Sequence, residues 1–453
     1  MKHTAAGAYS ELESFLVEQG VKYVLASYSD MHGVSKSKFV PIHHLERMMG
    51  GSELCTGAAL DGVPQDVSDE EISPRPDPDS VLILPWNREV AWFASDLYCQ
   101  GQPYEACNRQ IFKRVLAQAA ELGYRLNFGI EPELFLLKSE EDGSYGPIGT
   151  RDQLAKPAYD VRSTLDSFEM IEEIVRELND LGYDVYSFDH EDGNGQFEID
   201  FMYRDGLTMA DRFVFFRLLV SELAHRRGYF ASFMPKPFSD RAGSGAHYNM
   251  SLADIRTGEN LFEADNDARG CGLSELGYYF TGGLLKHLRA LSALASPTVN
   301  SYKRLIKEGS MSGFTWAPVF TCYGNNNRTD TLRIPLDGGR VELRSSDIAN
   351  NPYLGGAFAL AAGLEGIRER IDPGEPHVDN MYLKSEQELK TMGVGYLPRT
   401  LLEAIDALQA DPLAESVLGK LMLETYVEFK RNEWDSYHNH VSDWEVERYL
   451  RFY

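Results

Sequence analysis

The stretch His190-Glu191-Asp192-Gly193-Asn194-Gly195-Gln196-Phe197-Glu198-Ile199-Asp200 decides how this chain is read. Its two glycines permit a tight reversal of the backbone, and the carboxylates of Glu191 and Glu198 stand on either side of it. Upstream, 183–188 has the composition of a strand. Downstream, Phe197, Ile199 and Phe201 alternate with Gln196, Glu198 and Asp200, so one face is apolar and the other acidic. The pattern predicts a hairpin that offers carboxylates to a common space.

Working outward, apolar periodicity predicts helices over 111–122, 167–181, 209–227 and 274–293, and strands over 126–137, 229–234 and 246–252. Strands joined partly by hairpins and partly by helices indicate an α+β fold on a mainly antiparallel sheet. Ahead of these, a helix over 9–19, strands over 21–27 and 35–40, a short helix over 44–49, a Pro- and Asp-rich loop over 64–78, and strands over 81–84 and 90–94 form a smaller unit. The boundary is placed near Cys107, giving domains 1–106 and 107–453.

At 453 residues and 43% hydrophobic content the chain can bury sizeable cores. A formal charge of -25 with no basic run argues against nucleic acid or an anionic membrane surface as partner. No apolar run approaches the roughly 18 residues of a membrane span, and the first residues are not those of a secretory signal, so a cytoplasmic location is expected. The five cysteines show no CxxC spacing and are expected to be reduced.

Glu131-Pro132-Glu133 places two carboxylates on one face of a strand, and the proline discourages pairing there. In Gly243-Ser244-Gly245-Ala246-His247-Tyr248-Asn249-Met250-Ser251 a glycine-rich turn enters a strand whose His247, Asn249 and Ser251 share a face. Arg340-Val341-Glu342-Leu343-Arg344 repeats the design with two cations around one acid. Singly, each has a bland reading: paired glutamates on a strand are more often a solvated face, and a lone strand histidine is more often a satisfied polar residue. Together, Glu131, Glu133, Glu191, Glu198, Glu342 and His247 make an oxygen-rich set suited to Mg²⁺ or Mn²⁺ rather than Zn²⁺. Arg304, Arg328, Arg333, Arg340 and Arg344 add the cations that phosphoryl transfer requires, although surface ion pairing is the usual fate of arginine.

The segments EPELFL, HEDGNGQFEID, GSGAHYNMSL, NSYKRL, NNRTDTLRIP and RVELRSSDIANNPYL occur in the order in which the glutamine synthetase family carries its signature blocks, and the Asn380-Met381-Tyr382 region is similar as well. The chain resembles that family. The resemblance implies a small N-terminal β-grasp domain, a larger catalytic domain with a funnel-shaped site, ATP with two or three divalent ions, and a ring-stacked homo-oligomer, usually a dodecamer, in which one subunit's N-terminal domain completes its neighbour's site. It implies one metal held by Glu133, Glu191 and Glu198 and another by Glu131, His247 and Glu342. Glutamate falls to Arg304, Arg344 and the backbone at Gly243, and ATP to Arg328, Arg333, Arg340, Asn249 and Ser251, where Asn249 replaces the family's histidine. Asp61 matches the aspartate that attracts and deprotonates the amine across the subunit interface.

The implied reaction activates the glutamate γ-carboxylate as γ-glutamyl phosphate, which an amine then displaces. Ammonium-using members pass from the KRL block through a short loop whose glutamate closes the site. Here the path from Arg304 to Pro318 is longer, and Trp316 precedes Ala317-Pro318. Glu308 replaces the missing loop glutamate only if the loop swings it back. Ser312-Gly313-x-Thr315-Trp316-Ala317-Pro318 is similar to the branch that joins glutamate to methylamine, with Trp316 suited to an alkylammonium. Ammonium, a larger alkylamine or a polyamine are alternatives, and a non-catalytic member of the fold is a remote one. Tyr382 lies near a position that some members modify.

Overall fold

The computed structural model describes residues 7, 9–311 and 313–453; Ser312, quoted above in the loop, lies outside them. Two sheets organise the chain. In the first, Tyr23–Ser29 runs parallel to Val90–Cys99, with Tyr23 opposite Val90 and Ser27 opposite Ala94. Prolines predict loop throughout 64–78, yet Ile72–Pro76 is a strand antiparallel to Val90–Cys99. It lies at the end of the sheet order, where a strand tolerates prolines that cannot donate to a ladder. The strand expected over 35–40 is broken into Ser35–Lys36 and Phe39–Pro41.

The second sheet is larger and, as the sequence predicts, mainly antiparallel. Its spine is the 16-residue strand Tyr124–Ser139. On one side lies the hairpin Val185–His190/Gln196–Phe201, and on the other Ala246–Asp254, Val341–Leu343, Asp330–Ile334 and Phe320–Asn325 in that order. The last two run parallel to each other. Gly195 turns the hairpin with φ +82°, a conformation that costs glycine little. Pairing between hairpin and spine starts at Glu133 and stops short of Pro132, which pairs only with Ala246 on the other side.

Alternation divides each strand into two faces. Phe197 and Ile199 are fully buried, as are Phe128, Tyr248 and Leu343, against the helices Asn108–Glu121, Gly206–Arg226 and Pro352–Glu369. The rings of Phe112, Phe128 and Tyr248 meet edge to face through this layer. Arg109, buried, joins the two parts of the chain: its guanidinium bonds Asp77 and Asp96 of the N-terminal region and Asp211 of the helix Gly206–Arg226. No helix among the described residues is long and apolar enough to cross a membrane.

Candidate active site

Strand register brings the polar faces into one row. Glu198 stands opposite Glu133, His247 opposite Glu131, and Glu342 opposite both Asn249 and Arg333. A one-residue slip in any strand would turn its ligand into the core, so burial of the apolar faces sets the site's geometry.

Within this row His247 is central. Its Nδ1 lies 3.5 Å from Glu131 Oε2 and 3.4 Å from Glu342 Oε1, and its Nε2 lies 3.6 Å from Glu133 Oε1. Two donor groups result, Glu131–His247–Glu342 and Glu133–Glu198–His247, each with ligand atoms within 4.8 Å of one another. The first is the trio that the family resemblance implies. The second shares His247, while Glu191 lines the same cleft beside Glu133 and Glu198. Gly245 permits the convergence: a Cβ there would lie 2.6 Å from His247 Nε2, 2.8 Å from Arg304 Nη2 and 2.9 Å from Glu133 Oε1.

The electrostatics of this cluster call for cations. Burial, with Glu133 and Asp189 nearby, pushes the Glu191 carboxyl up to about 8. Burial and Glu191 hold Glu198 well above the usual carboxylate range, and burial with Glu131 takes Asp200 up to about 7. Burial and the Arg344 guanidinium push the His247 imidazole down to about 3, leaving it neutral as a metal ligand must be. One oxygen each of Asp189 and Asp200 is buried without a hydrogen-bond partner. Carboxylates crowded in this way repel unless positive charge sits among them, and the donor set fits Mg²⁺ or Mn²⁺.

The cleft, about 390 Å³, is lined by Glu131, Glu133, Asp189, Glu191 and Glu198 with Gly243, Arg304, Arg328, Arg344 and Trp316. Arg304 is buried and donates to the carbonyls of Ser345 and Arg344. Arg344 and Arg333 both pair with Glu342; burial works against the charge of Glu342, yet Arg344 leads the groups that hold its carboxyl below the usual range. Arg328 is exposed at the cleft.

A second cavity, about 350 Å³, meets the first at Glu131 and contains Asn249, Ser251 and Arg340. Asn249 donates to Glu131 Oε1 and accepts from Arg340 Nε, which ties the carboxylate shared by the two cavities to the arginine of the second. Arg333 is not among the lining residues of either cavity and acts here as a partner of Glu342 and Asn326. Sequence reasoning missed Tyr186 and Tyr203, half-exposed aromatics that line this second cavity. Strict alternation back from Asp189, which faces Glu198, would put Tyr186 with Phe188 on the apolar face; the register shift between Val185 and Ser187 turns it toward the cavity instead, so no local signal marked it. The nearby Asn260, Glu263 and Gly338–Gly339 gave none.

Trp316 stands at the cleft with φ +55°, 44% exposed, beside the rings of Phe314 and Tyr382. Tyr382 is buried, its hydroxyl bonded to the Ala317 carbonyl. Glu308 lies on the exposed ribbon Glu308–Ser310/Gly313–Phe314 and does not line the cleft. Asp61 lies outside both cavities of its own chain, 3.8 Å from His32.

A glutamine synthetase catalytic-domain model matches residues 105–449, and the chain belongs to the glutamine synthetase family. It is 41% identical to the glutamate–methylamine ligase of Methyloversatilis universalis over 98% of this chain and 99% of that relative. It is 39% identical to the glutamine synthetase of Rhizobium meliloti, over 96% of this chain and 98% of that one. Among solved structures, a GmaS/ADP complex superposes with a TM-score of 0.90 at 40% identity, covering 97% of this chain and 99% of that chain.

Proposed function

We propose that the protein is an ATP-dependent ligase that joins the γ-carboxylate of L-glutamate to methylamine, giving γ-glutamylmethylamide, ADP and phosphate. The observation that carries this reading is the convergence of four strands on two donor clusters, with Arg304 and Arg344 on one side and a cavity holding Asn249, Ser251 and Arg340 on the other. All six expected ligand positions hold ligating side chains, which argues against a non-catalytic member of the fold.

Arg304, Arg344 and the backbone at Gly243 hold glutamate so that its γ-carboxylate points toward the clusters. ATP occupies the second cavity, its phosphates directed past Glu131 toward Arg328 and Arg340 and its base end toward Asn249, Ser251, Tyr186 and Tyr203, while Arg333 acts through Glu342. Mg²⁺ or Mn²⁺ held by Glu133, Glu191 and Glu198, and by Glu131, His247 and Glu342, supplies charge neutralisation to the phosphate oxygens when bound. A γ-carboxylate oxygen attacks the γ-phosphorus, and the bond to the bridging oxygen of ADP breaks. Arg328 stabilises the charge that builds on the transferring group.

Methylammonium gives up a proton to become nucleophilic and a second, to the departing phosphate, once the C–N bond has formed, while that phosphate leaves from the carbonyl carbon of the γ-carboxyl group. Asp61 from a neighbouring copy attracts the cation and accepts the first proton. This requires at least two copies in contact, for which a ring-stacked homo-oligomer, a dodecamer, is the proposed form, with 1–106 as the small domain and 107–453 as the catalytic one. Trp316 offers the methylammonium an apolar and cation–π surface, which favours methylamine over ammonium.

The test is phosphate release by the purified protein with ATP, Mg²⁺ and glutamate, comparing ammonium, methylamine and ethylamine, with product masses determined. A much higher kcat/KM for methylamine supports the reading. Preference for ammonium would make the protein a glutamine synthetase with an altered gate, and silence with every amine would overturn the ligase reading.

A further inference from the structure

One buried group outside the ligand set is tied to the hairpin from which two ligands project. Asp152, on the loop ahead of the helix Val161–Asp166, is 3% exposed. Its Oδ2 accepts from the Gly195 backbone N–H at 2.5 Å and lies 2.8 Å from His190 Nε2. Its Oδ1 accepts from Asn194 Nδ2 at 2.9 Å. The other ring nitrogen of His190 lies 2.7 Å from the Glu191 carbonyl oxygen. One carboxylate thus grips three residues of the turn, and through His190 it reaches the backbone of Glu191.

The turn is held from two further directions. Asn194 Nδ2 also donates to the Leu154 carbonyl, and the Tyr159 N–H donates to the His190 carbonyl, so the loop 152–159 follows the hairpin. On the opposite side Arg241 Nη1 donates to the Asn194 carbonyl, and Gln196 Nε2 donates to the Gly243 carbonyl. Glycine-containing turns are soft, and Glu191 and Glu198 sit at its two ends, so their separation depends on what fixes the turn. Like-charge repulsion between them pushes the same turn open.

We infer that Asp152 is a positioning residue for the metal site: by clamping His190, Asn194 and Gly195 it holds Glu191 and Glu198 at ligand spacing against their mutual repulsion. The inference rests on the proposed metal reading, and it concerns a residue that touches neither substrate nor ion. An asparagine is a poor substitute, because the clamp needs two acceptor oxygens toward donors on both sides, and an amide supplies one.

The test is Mn²⁺ titration of the full-length protein followed by the EPR signal of free Mn²⁺, for wild type, Asp152→Asn and Glu133→Ala. Outer partners of metal sites are worth about 10–100-fold in affinity, and that weakening is expected for Asp152→Asn. The Mg²⁺ concentration for half-maximal turnover should rise by the same factor, while kcat and the glutamate KM at saturating Mg²⁺ stay close to wild type. Unchanged Mn²⁺ affinity in a folded Asp152→Asn overturns the inference, as does a fall in kcat that saturating Mg²⁺ fails to restore. Should Asp152→Asn not fold, Asn194→Ala removes one arm of the clamp, and Mn²⁺ affinity equal to wild type there would also overturn it. Wild type that binds no Mn²⁺, or binds it equally well with Glu133→Ala, instead defeats the metal reading on which the clamp depends.

Discussion

The indole of Trp316 lies stacked on the ring of Tyr382, with centroids 6.4 Å apart and planes inclined by 24°. A bulky residue with φ +55° is held against its backbone preference, so the Tyr382 ring and the edge of Phe314 must support it. Trp316→Ala should raise the methylamine KM roughly tenfold, matching the ~1–2 kcal/mol of a partly desolvated cation–π contact. The glutamate KM should move little. Steady-state kinetics with each substrate varied in turn checks this, and an equal rise in both would reduce Trp316 to an anchor of its loop.

Glu133 accepts from the Gly245 N–H at 2.8 Å and belongs to the Glu133–Glu198–His247 group. Glu133→Ala should lower turnover by on the order of 10²–10³-fold, the scale of losing one electrostatic stabiliser of a transition state. Phosphate release and product formation should fall together. Near-normal activity in this variant would remove Glu133 from the site.

Asp61 is exposed on its own chain, and its proposed role needs a second copy. Asp61→Asn should lower amine-dependent turnover by about 10²-fold, the lower end for loss of a general base. Glutamate-dependent ATP cleavage measured without amine should survive. Loss of both partial reactions to the same degree would count against a role confined to the amine step.

His287 gives a pH-dependent contribution to stability. Its Nδ1 lies 2.9 and 2.8 Å from the two oxygens of Asp411, and its Nε2 lies 3.0 Å from Glu365 Oε1. Burial alone would lower its pKa, but the hydrogen bonds to Asp411 and Glu365 outweigh burial and raise it. A raised folded-state value means that the stabilisation is fully present below the unfolded value of about 6.5 and is lost as pH rises through the folded one. The Tm gap between wild type and His287→Gln, followed by calorimetry from pH 6 to pH 9, should therefore narrow with rising pH. A gap that stays constant would show that His287 stabilises by packing alone.

Much of the fold could be read locally. The hairpin, the spine strand with Glu131 and Glu133, and the strands of His247 and Glu342 announce themselves by period-two alternation, since each buries one face. Helix ends were legible to within a few residues: 167–181 was expected and Phe168–Asp180 is observed. Ile72–Pro76 was not legible, because its prolines mimic loop and its pairing partner lies across a turn and a further short strand. Tyr203 and Asn260 were invisible as lining residues because nothing in their own neighbourhoods marks them. Asp152 was equally silent: a lone aspartate in a loop becomes a clamp only when the turn of another segment arrives beside it.

The sequence by itself determined which strand side chains share the polar face, since alternation along a strand is local and each apolar face has to be buried. Tertiary structure alone decided which carboxylates meet. Glu198 faces Glu133, and His247 lies between Glu131, Glu133 and Glu342, only because strands distant in sequence pair in one register. Tertiary structure also decided the charges: the same glutamate that would ionise freely in water is pushed up to about 8 at Glu191, because folding removes its water and sets other carboxylates beside it.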